Sequence, residues 1–137
     1  MNDIQLHSQA PSAAATELHD QLAAAGQTLT DDQMPSFLLS VPAADGTLRA
    51  GLKGEIAFQT ARVAELWVSP DLRGQGIGTS LVARADDHAR GAGCTRIQIE
   101  TQNPAAQRLY AAQGYTVFGA LPDYDGPNSL VYMVKDL

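Results

Sequence analysis

The stretch from Arg62 to Arg90 constrains the fold most, because its pattern changes from strand to turn to helix within thirty positions or so. RVAELWV, Arg62 to Val68, is apolar and β-rich, with Val63, Leu66, Trp67 and Val68 in close succession. Pro70 ends it, since proline has no N–H to give a sheet ladder. From Thr79 the spacing is helical. Leu81, Val82, Ala85 and Ala89 fall on one stripe, while Arg84, Asp87 and Arg90 fall off it. Between strand and helix lies Arg73-Gly74-Gln75-Gly76-Ile77-Gly78. Glycines at alternate positions let the backbone come close to a ligand. The following helix turns its free N–H groups and positive dipole end back toward this loop. Such a turn is an anion site, best suited to phosphate, and Arg73 adds a permanent charge with forked donors.

Two other glycine-rich motifs compete for this loop. No Gly-Lys-Ser/Thr follows at the spacing a P-loop requires. Gly74 and Gly76 fit the first two glycines of a dinucleotide fingerprint, and Glu100 lies about 20 residues on, where a ribose-binding acid sits. Thr79 occupies the third position, however, Gly78 is extra, and the chain around the loop is short for a six-stranded nucleotide domain. A nucleotide-binding module remains a competing reading.

The remaining pattern supplies a sheet around this unit. Ile4 to His7 alternates and reads as an opening strand; AAATELHDQLAAAG reads as a helix that Ser12 caps and Gly26 stops. Thr30-Asp31-Asp32 reads as the start of a short helical turn. Ser36 to Val41 is a strand, Ala44-Asp45-Gly46 a turn, and Thr47 to Thr60 the returning strand, with Gly51 and Gly54 marking bulges or close contacts. Thr95 to Thr101 alternates, with Ile97 and Ile99 on one face. Strand, helix and strand in succession predict a βαβ unit, its second strand parallel to the one at Leu66. Asn103-Pro104 opens another helix, which Gly114 ends, with Ala106, Leu109 and Tyr110 on one face. Tyr115 to Gly119 and Leu130 to Val134 read as the last strands, with a loop from Ala120 to Ser129. The fold class is α+β, a mixed sheet flanked by helices.

ELWVSP, Arg73-x-x-Gly76-x-Gly78 and the amphipathic helix after them resemble the central motif of the GNAT N-acetyltransferases, and the resemblance continues through ETQNPAAQRLYAAQGYTVFG. It covers Leu48 to Leu137 well and the first third loosely. It implies a twisted sheet whose central parallel strands splay, with acetyl-CoA as co-substrate and no metal. It also implies that Arg73, Gly74, Gln75, Gly76, Ile77, Gly78 and Thr79 hold the pyrophosphate. Backbone groups of Leu66, Trp67 and Val68 would bond the pantetheine arm, with the Val68 amide as oxyanion donor. Tyr110, at the spacing NxxAxxxY from Asn103, matches the tyrosine that protonates the departing sulfur; filling core space is its structural alternative. Asn103 is assigned to the cofactor site and also fits a cap. The base is Glu65 by preference, with Glu100 or a water chain as alternatives; both acids also read as solvated strand-end carboxylates.

Val117-Phe118-Gly119-Ala120-Leu121-Pro122-Asp123-Tyr124 resembles a motif of short bacterial members of that superfamily. Glu100 to Ala106 departs from that subset toward the general pattern, so its substrates do not transfer. Asp123, Tyr124 and Asp125 read either as an acidic turn or as lining of an amine pocket.

Bulk properties narrow the partners. At 137 residues and 45% apolar, the chain suits one domain spanning 1–137. A net charge of −6 argues against nucleic acid and favours cationic acceptors. No apolar run approaches the ~20 residues of a membrane span, and no basic-then-apolar leader opens the chain. A single Cys94 makes no internal disulfide, fits a reducing cytoplasm, and reads as buried packing. The expected protein is therefore a cytoplasmic acetyltransferase acting on a small-molecule or peptide amine, with no membrane or nucleic-acid partner. Members of the superfamily it resembles often form homodimers, and the sequence leaves the oligomeric state open. A non-catalytic acyl-CoA sensor on the same fold is the alternative.

Overall fold

Six strands form one sheet in the computed structural model, which describes residues 4–9, 12–26 and 35–137. In chain order the elements are α1 (Ser12–Ala24), β1 (Ser36–Pro42), β2 (Leu48–Ala57), β3 (Thr60–Val68), α2 (Ile77–Gly91), β4 (Arg96–Thr101), α3 (Pro104–Ala112), β5 (Thr116–Asp125) and β6 (Asn128–Asp136), with a short 3-10 turn at Pro70–Leu72. The chain divides into two compact units, Met1–Gln33 and Met34–Leu137.

In the first unit, α1 forms where alanine, leucine and glutamate favour it. Gly26, at φ 87°, takes the left-handed conformation that stops a helix. Ser12 is the first residue inside α1 rather than its cap. Ile4 to His7 has no regular structure, so the expected opening strand is not formed: among the described residues nothing pairs with it, and an unpaired strand lacks its ladder bonds. The expected turn at Thr30-Asp31-Asp32 lies outside the described residues.

The second unit holds the sheet, ordered β1-β2-β3-β4-β6-β5. Only β3 and β4 run parallel; every other neighbouring pair is antiparallel. That one parallel pair is the predicted βαβ unit, with α2 as its crossover. A sheet with one parallel pair is not the doubly wound sheet of a dinucleotide domain.

Apolar burial, not helix propensity, holds α2 in place. Leu81, Val82, Ala85 and Ala89 pack on β2, β3 and β4, around Leu52, Ile97 and Met133, which are fully buried. Each large aliphatic side chain buried this way stabilises by about 1.5–3 kcal/mol. Gly54 shows how tight the seam is. A Cβ there would lie 2.3 Å from Cζ of Phe37, whose ring crosses Gly54 to meet the His88 ring, 4.5 Å between centroids. Gly51 faces the Leu39 carbonyl in the same way. Both glycines are thus sites of close contact, as their sequence positions suggested.

Two boundaries differ from the sequence reading. The returning strand ends at Ala57, not Thr60, because Phe58-Gln59 makes the turn and Phe58 takes φ 55°. That turn carries neither glycine nor asparagine, the residues that normally announce a positive φ. The expected loop from Ala120 to Ser129 is instead the end of a long hairpin, with β5 reaching Asp125 and β6 starting at Asn128. Pro122 is tolerated because β5 is the edge strand. Pairing jumps from Leu121↔Leu130 to Asp125↔Asn128, so Pro122, Asp123 and Tyr124 bulge outward, with Asp123 at φ 53°.

Candidate functional site

The seam between β3 and β4 closes at one end and opens at the other. Pairing runs from Thr60↔Arg96 to Val63↔Ile99 and then stops, although β3 continues to Val68 and β4 to Thr101. A bulge sits at the point of parting. Lys53 pairs with Glu65 and Gly54 with Val63, so Ala64 has no partner on β2. Such an insertion bends and twists a strand. It also switches the core-facing parity. Ala61 and Val63 are buried before it, and Leu66 and Val68 pack toward the core after it, which turns Glu65 outward.

The parting leaves backbone groups of β3 facing the gap. Ser69 N–H donates to the Arg49 carbonyl of β2 at 2.8 Å. Polar groups alternate sides along a strand, so Val68 and Leu66 turn theirs to the opposite edge, into the opening. Trp67, opposite Gly51, turns its own toward β2. Of the three strand residues expected to bond a ligand arm, Leu66 and Val68 have backbone groups aimed there and Trp67 does not.

A cleft of about 730 Å³ fills the opening. Glu65 and Leu66 line it from β3, Glu100 and Thr101 from β4, Asn103 and Tyr110 from α3, and Tyr124 and Asn128 from the bulged hairpin. Tyr124 is the one residue of the acidic turn that reaches it; Asp123 and Asp125 are not on the wall. Both acids favoured by the sequence are present, but differently engaged. Arg62 donates from Nε and Nη2 to Oε1 of Glu100, at 2.8 and 2.6 Å, and from Nη1 to Glu55 at 2.9 Å. These bonds, the Glu100 one foremost, hold the guanidinium charge more firmly still. Glu65 makes no side-chain hydrogen bond or ion pair among the described residues.

Tyr110 is buried, and burial pushes its phenol above the ordinary value of 10.0. It stays protonated at neutral pH, as a proton donor must. Asn103 accepts the Ala105 N–H at 2.9 Å and so does cap α3, with Pro104 in the first turn. Cys94 is buried and burial raises its thiol, which suits packing and not nucleophilic work.

Beside the cleft lies the glycine loop. Gly74 and Gly76 take φ 76° and 78°, the left-handed region, and Gly76 is the N-cap of α2, so the helix begins at Ile77, two positions before Thr79. Val68, Arg73, Gly74, Gly76, Ile77, Gly78 and Thr79 line a hollow of about 200 Å³ that Leu109 of α3 closes. A Cβ placed on Gly74 or Gly76 would meet no protein atom within 4 Å, and one on Gly78 would make only ordinary contact with Val68 at 3.7 Å. The fold itself leaves that space open. Arg73 reaches back and donates from Nε to the Val68 carbonyl at 3.0 Å, tying loop to strand end.

The start of α2, with its left-handed glycines, thus stands at the end of β3, next to the stretch where β3 and β4 part. The sequence pattern of the acetyltransferase (GNAT) family matches residues 4–115, and the chain belongs to that family, whose members use acetyl-CoA. It is 38% identical over 93 residues to the blasticidin-S acetyltransferase of Streptomyces morookaense, covering 67% of this chain and 68% of that one. A crystal structure from Agrobacterium tumefaciens, of a protein assigned as an acetyltransferase, superposes with a TM-score of 0.80 at 30% identity and covers both chains fully. A Bacillus anthracis protein assigned as a streptothricin acetyltransferase and solved with acetyl coenzyme A shares the fold at a TM-score of 0.67 and 17% identity, over 82% of this chain and 70% of that one. Among the described residues no helix is long and apolar enough to cross a membrane.

Proposed function

We propose that the protein moves an acetyl group from acetyl-CoA to a primary amine of a small molecule or peptide, by direct attack in a ternary complex. The observation that carries this reading is the adjacency of the glycine hollow to the opening between β3 and β4. The diphosphate would rest on the N–H groups of residues 73–79 with Arg73 beside it. The thin arm would run along the exposed edge of Leu66 and Val68, bringing the thioester under the Val68 N–H.

An alkyl ammonium costs about 4–5 kcal/mol to neutralise at pH 7. Glu65 is the base in this reading, since Glu100 already has Arg62 on one oxygen. The amine nitrogen attacks the carbonyl carbon and the π pair moves to oxygen, where the Val68 N–H meets it. Glu65 takes the nitrogen's proton, the oxygen pair re-forms C=O as the C–S bond breaks, and the C–S electron pair stays on sulfur, to which Tyr110 supplies the proton. An acceptor carrying positive charge suits a cleft whose charged lining residues are the two acids Glu65 and Glu100. The Streptomyces relative is named for acetylation of blasticidin-S, and its similarity supports the acetyl-transfer reading.

Thiol release from acetyl-CoA, followed across a panel of amines, tests the reading. Turnover that depends on a particular amine supports it. Coenzyme binding without turnover on any amine would replace it with a sensor role.

A further inference from the structure

Asp86 is the buried charged residue among those described, 4% exposed in the middle of α2, and the acetyl-transfer chemistry makes no use of it. Its two oxygens are each committed. Oδ1 accepts the Tyr115 hydroxyl at 2.6 Å and Oδ2 accepts Lys135 Nζ at 2.7 Å. Burying such a group is weak evidence for stability, because well-packed apolar residues often serve as well. A network of this kind is more readily explained by what it fixes in place.

What it fixes is Tyr110. The Tyr115 ring lies against the Tyr110 ring, 6.2 Å between centroids, and the Tyr115 N–H donates to the Tyr110 carbonyl at 3.1 Å. Lys135 also lies 5.8 Å from the Tyr115 ring centroid, so Tyr115 is held from α2 and from β6 at once. A second tie joins α2 to the end of α3. Gln113, at the end of α3, donates from Nε2 to the Thr79 carbonyl at 3.0 Å. Thr79 is in the first turn of α2, where the glycine hollow is. The stretch from Tyr110 to Tyr115, the end of α3 and the turn after it, is therefore fastened to α2 twice, by Gln113 at the hollow and by Tyr115 in mid-helix.

We propose that Asp86, acting through Tyr115, is a positioning residue for Tyr110. Together with the Gln113 tie it makes the phosphate hollow and the sulfur-protonating phenol parts of one rigid body. The separation between them then sets where the thioester sulfur stops relative to the Tyr110 hydroxyl. Lys135, with Nζ 2.7 Å from Oδ2, keeps the Asp86 carboxylate aimed. This inference rests on the role given to Tyr110 above.

Tyr115→Phe keeps the ring and removes the hydroxyl, so it serves as the primary variant; Lys135→Met, remote from the cleft wall, is the second. Turnover is read as thiol release with the best acceptor of the panel, water included. Tyr115→Phe is expected to lower kcat about tenfold, the scale of one hydrogen bond to a charged group, with KM for acetyl-CoA changed less than about twofold. Lys135→Met should move kcat the same way by less. The decisive readout is a double-mutant cycle. In a Tyr110→Phe background the Tyr115→Phe loss should vanish, because a positioning residue has no effect once the group it positions is gone. Equal loss in both backgrounds, or a loss confined to KM, overturns the positioning role and leaves the Tyr110 assignment standing. A Tyr110→Phe enzyme as fast as the parent, or no turnover with any acceptor, overturns both.

Discussion

The two ends of the binding groove are built from different materials. The glycine hollow is built from one stretch of chain, Val68 to Thr79, with left-handed Gly74 and Gly76 and the first residues of α2, closed by Leu109, and Arg73 is the one charged residue on its wall. The acceptor cleft is made of side chains from separate elements, with Glu65, Glu100, Tyr110 and Tyr124 arriving from β3, β4, α3 and β5. In the proposed reading the diphosphate would meet backbone N–H groups, and backbone groups are hard to lose by substitution. Side chains on strand ends and bulges are easily exchanged. One end is thus suited to a constant ligand and the other to a variable one.

The largest break in that comparison comes from the cleft. Tyr110→Phe should lower kcat by about 10²–10⁴-fold, the usual worth of a positioned proton donor, with little change in KM for acetyl-CoA. Steady-state kinetics decides it, and near-normal turnover would return Tyr110 to simple packing. Glu65→Gln should cost somewhat less, about 10²-fold at neutral pH, because water can carry part of a base's work. It should also abolish the acidic limb of the kcat/KM profile. An unchanged limb moves the base to Glu100, and Glu100→Gln then becomes the informative variant.

At the other end, Arg73→Ala should weaken acetyl-CoA by about 1.5–3 kcal/mol, the range for hydrogen bonds to charged groups. The difference should shrink as salt rises. Equal affinity in calorimetry removes Arg73 from the ligand and leaves it as the brace on the Val68 carbonyl.

A smaller effect concerns stability at high pH. Burial, and for Tyr115 the bond to Asp86, raise the phenols of Tyr110 and Tyr115 above 10.0 in the folded chain. Their contribution is complete below the unfolded value near 10 and is lost as pH rises beyond it, since only the unfolded chain then releases those protons. The unfolding free energy read from denaturant titrations should fall above about pH 10, by up to ~1.4 kcal/mol per pH unit for each phenol. Tyr115→Phe should make that fall shallower. An equal slope in parent and variant would mean that Tyr115 ionises in the folded protein as freely as in water.

The same contrast explains what the sequence disclosed. The hollow is contiguous in the chain, a strand, a turn and a helix start from Val68 to Thr79, so spacing and glycine chemistry were enough to locate it. The cap at Asn103 and the parallel strand at Ile97 are local in the same sense. The cleft depends on pairings that no local pattern announces. The bulge at Ala64, which turns Glu65 outward, exists only once β2 and β3 are in register. Tyr124 reaches the cleft because an edge strand tolerates Pro122 and bulges, where proline and aspartate alone read as a loop. Arg62 with Glu100, and Asp86 with Tyr115 and Lys135, join residues 29 to 49 positions apart. Asp86 in particular stood in the sequence as one acid of an Asp-Asp pair in an amphipathic helix. It is buried where Tyr115 and Lys135, distant in the chain, close over α2.

The central claim, that the open space of the hollow is where acetyl-CoA binds, is tested most directly by titrating acetyl-CoA into the parent and Gly78→Ala proteins. The added methyl meets no close protein atom, and alanine in a helix favours folding by about 0.5–1 kcal/mol over glycine. The account predicts one binding site per chain in the parent and a variant at least as heat-stable as the parent that binds about tenfold or more weakly, the worth of a lost close contact or hydrogen bond. Parent protein that ignores acetyl-CoA, or a variant that binds it equally well, would contradict the account.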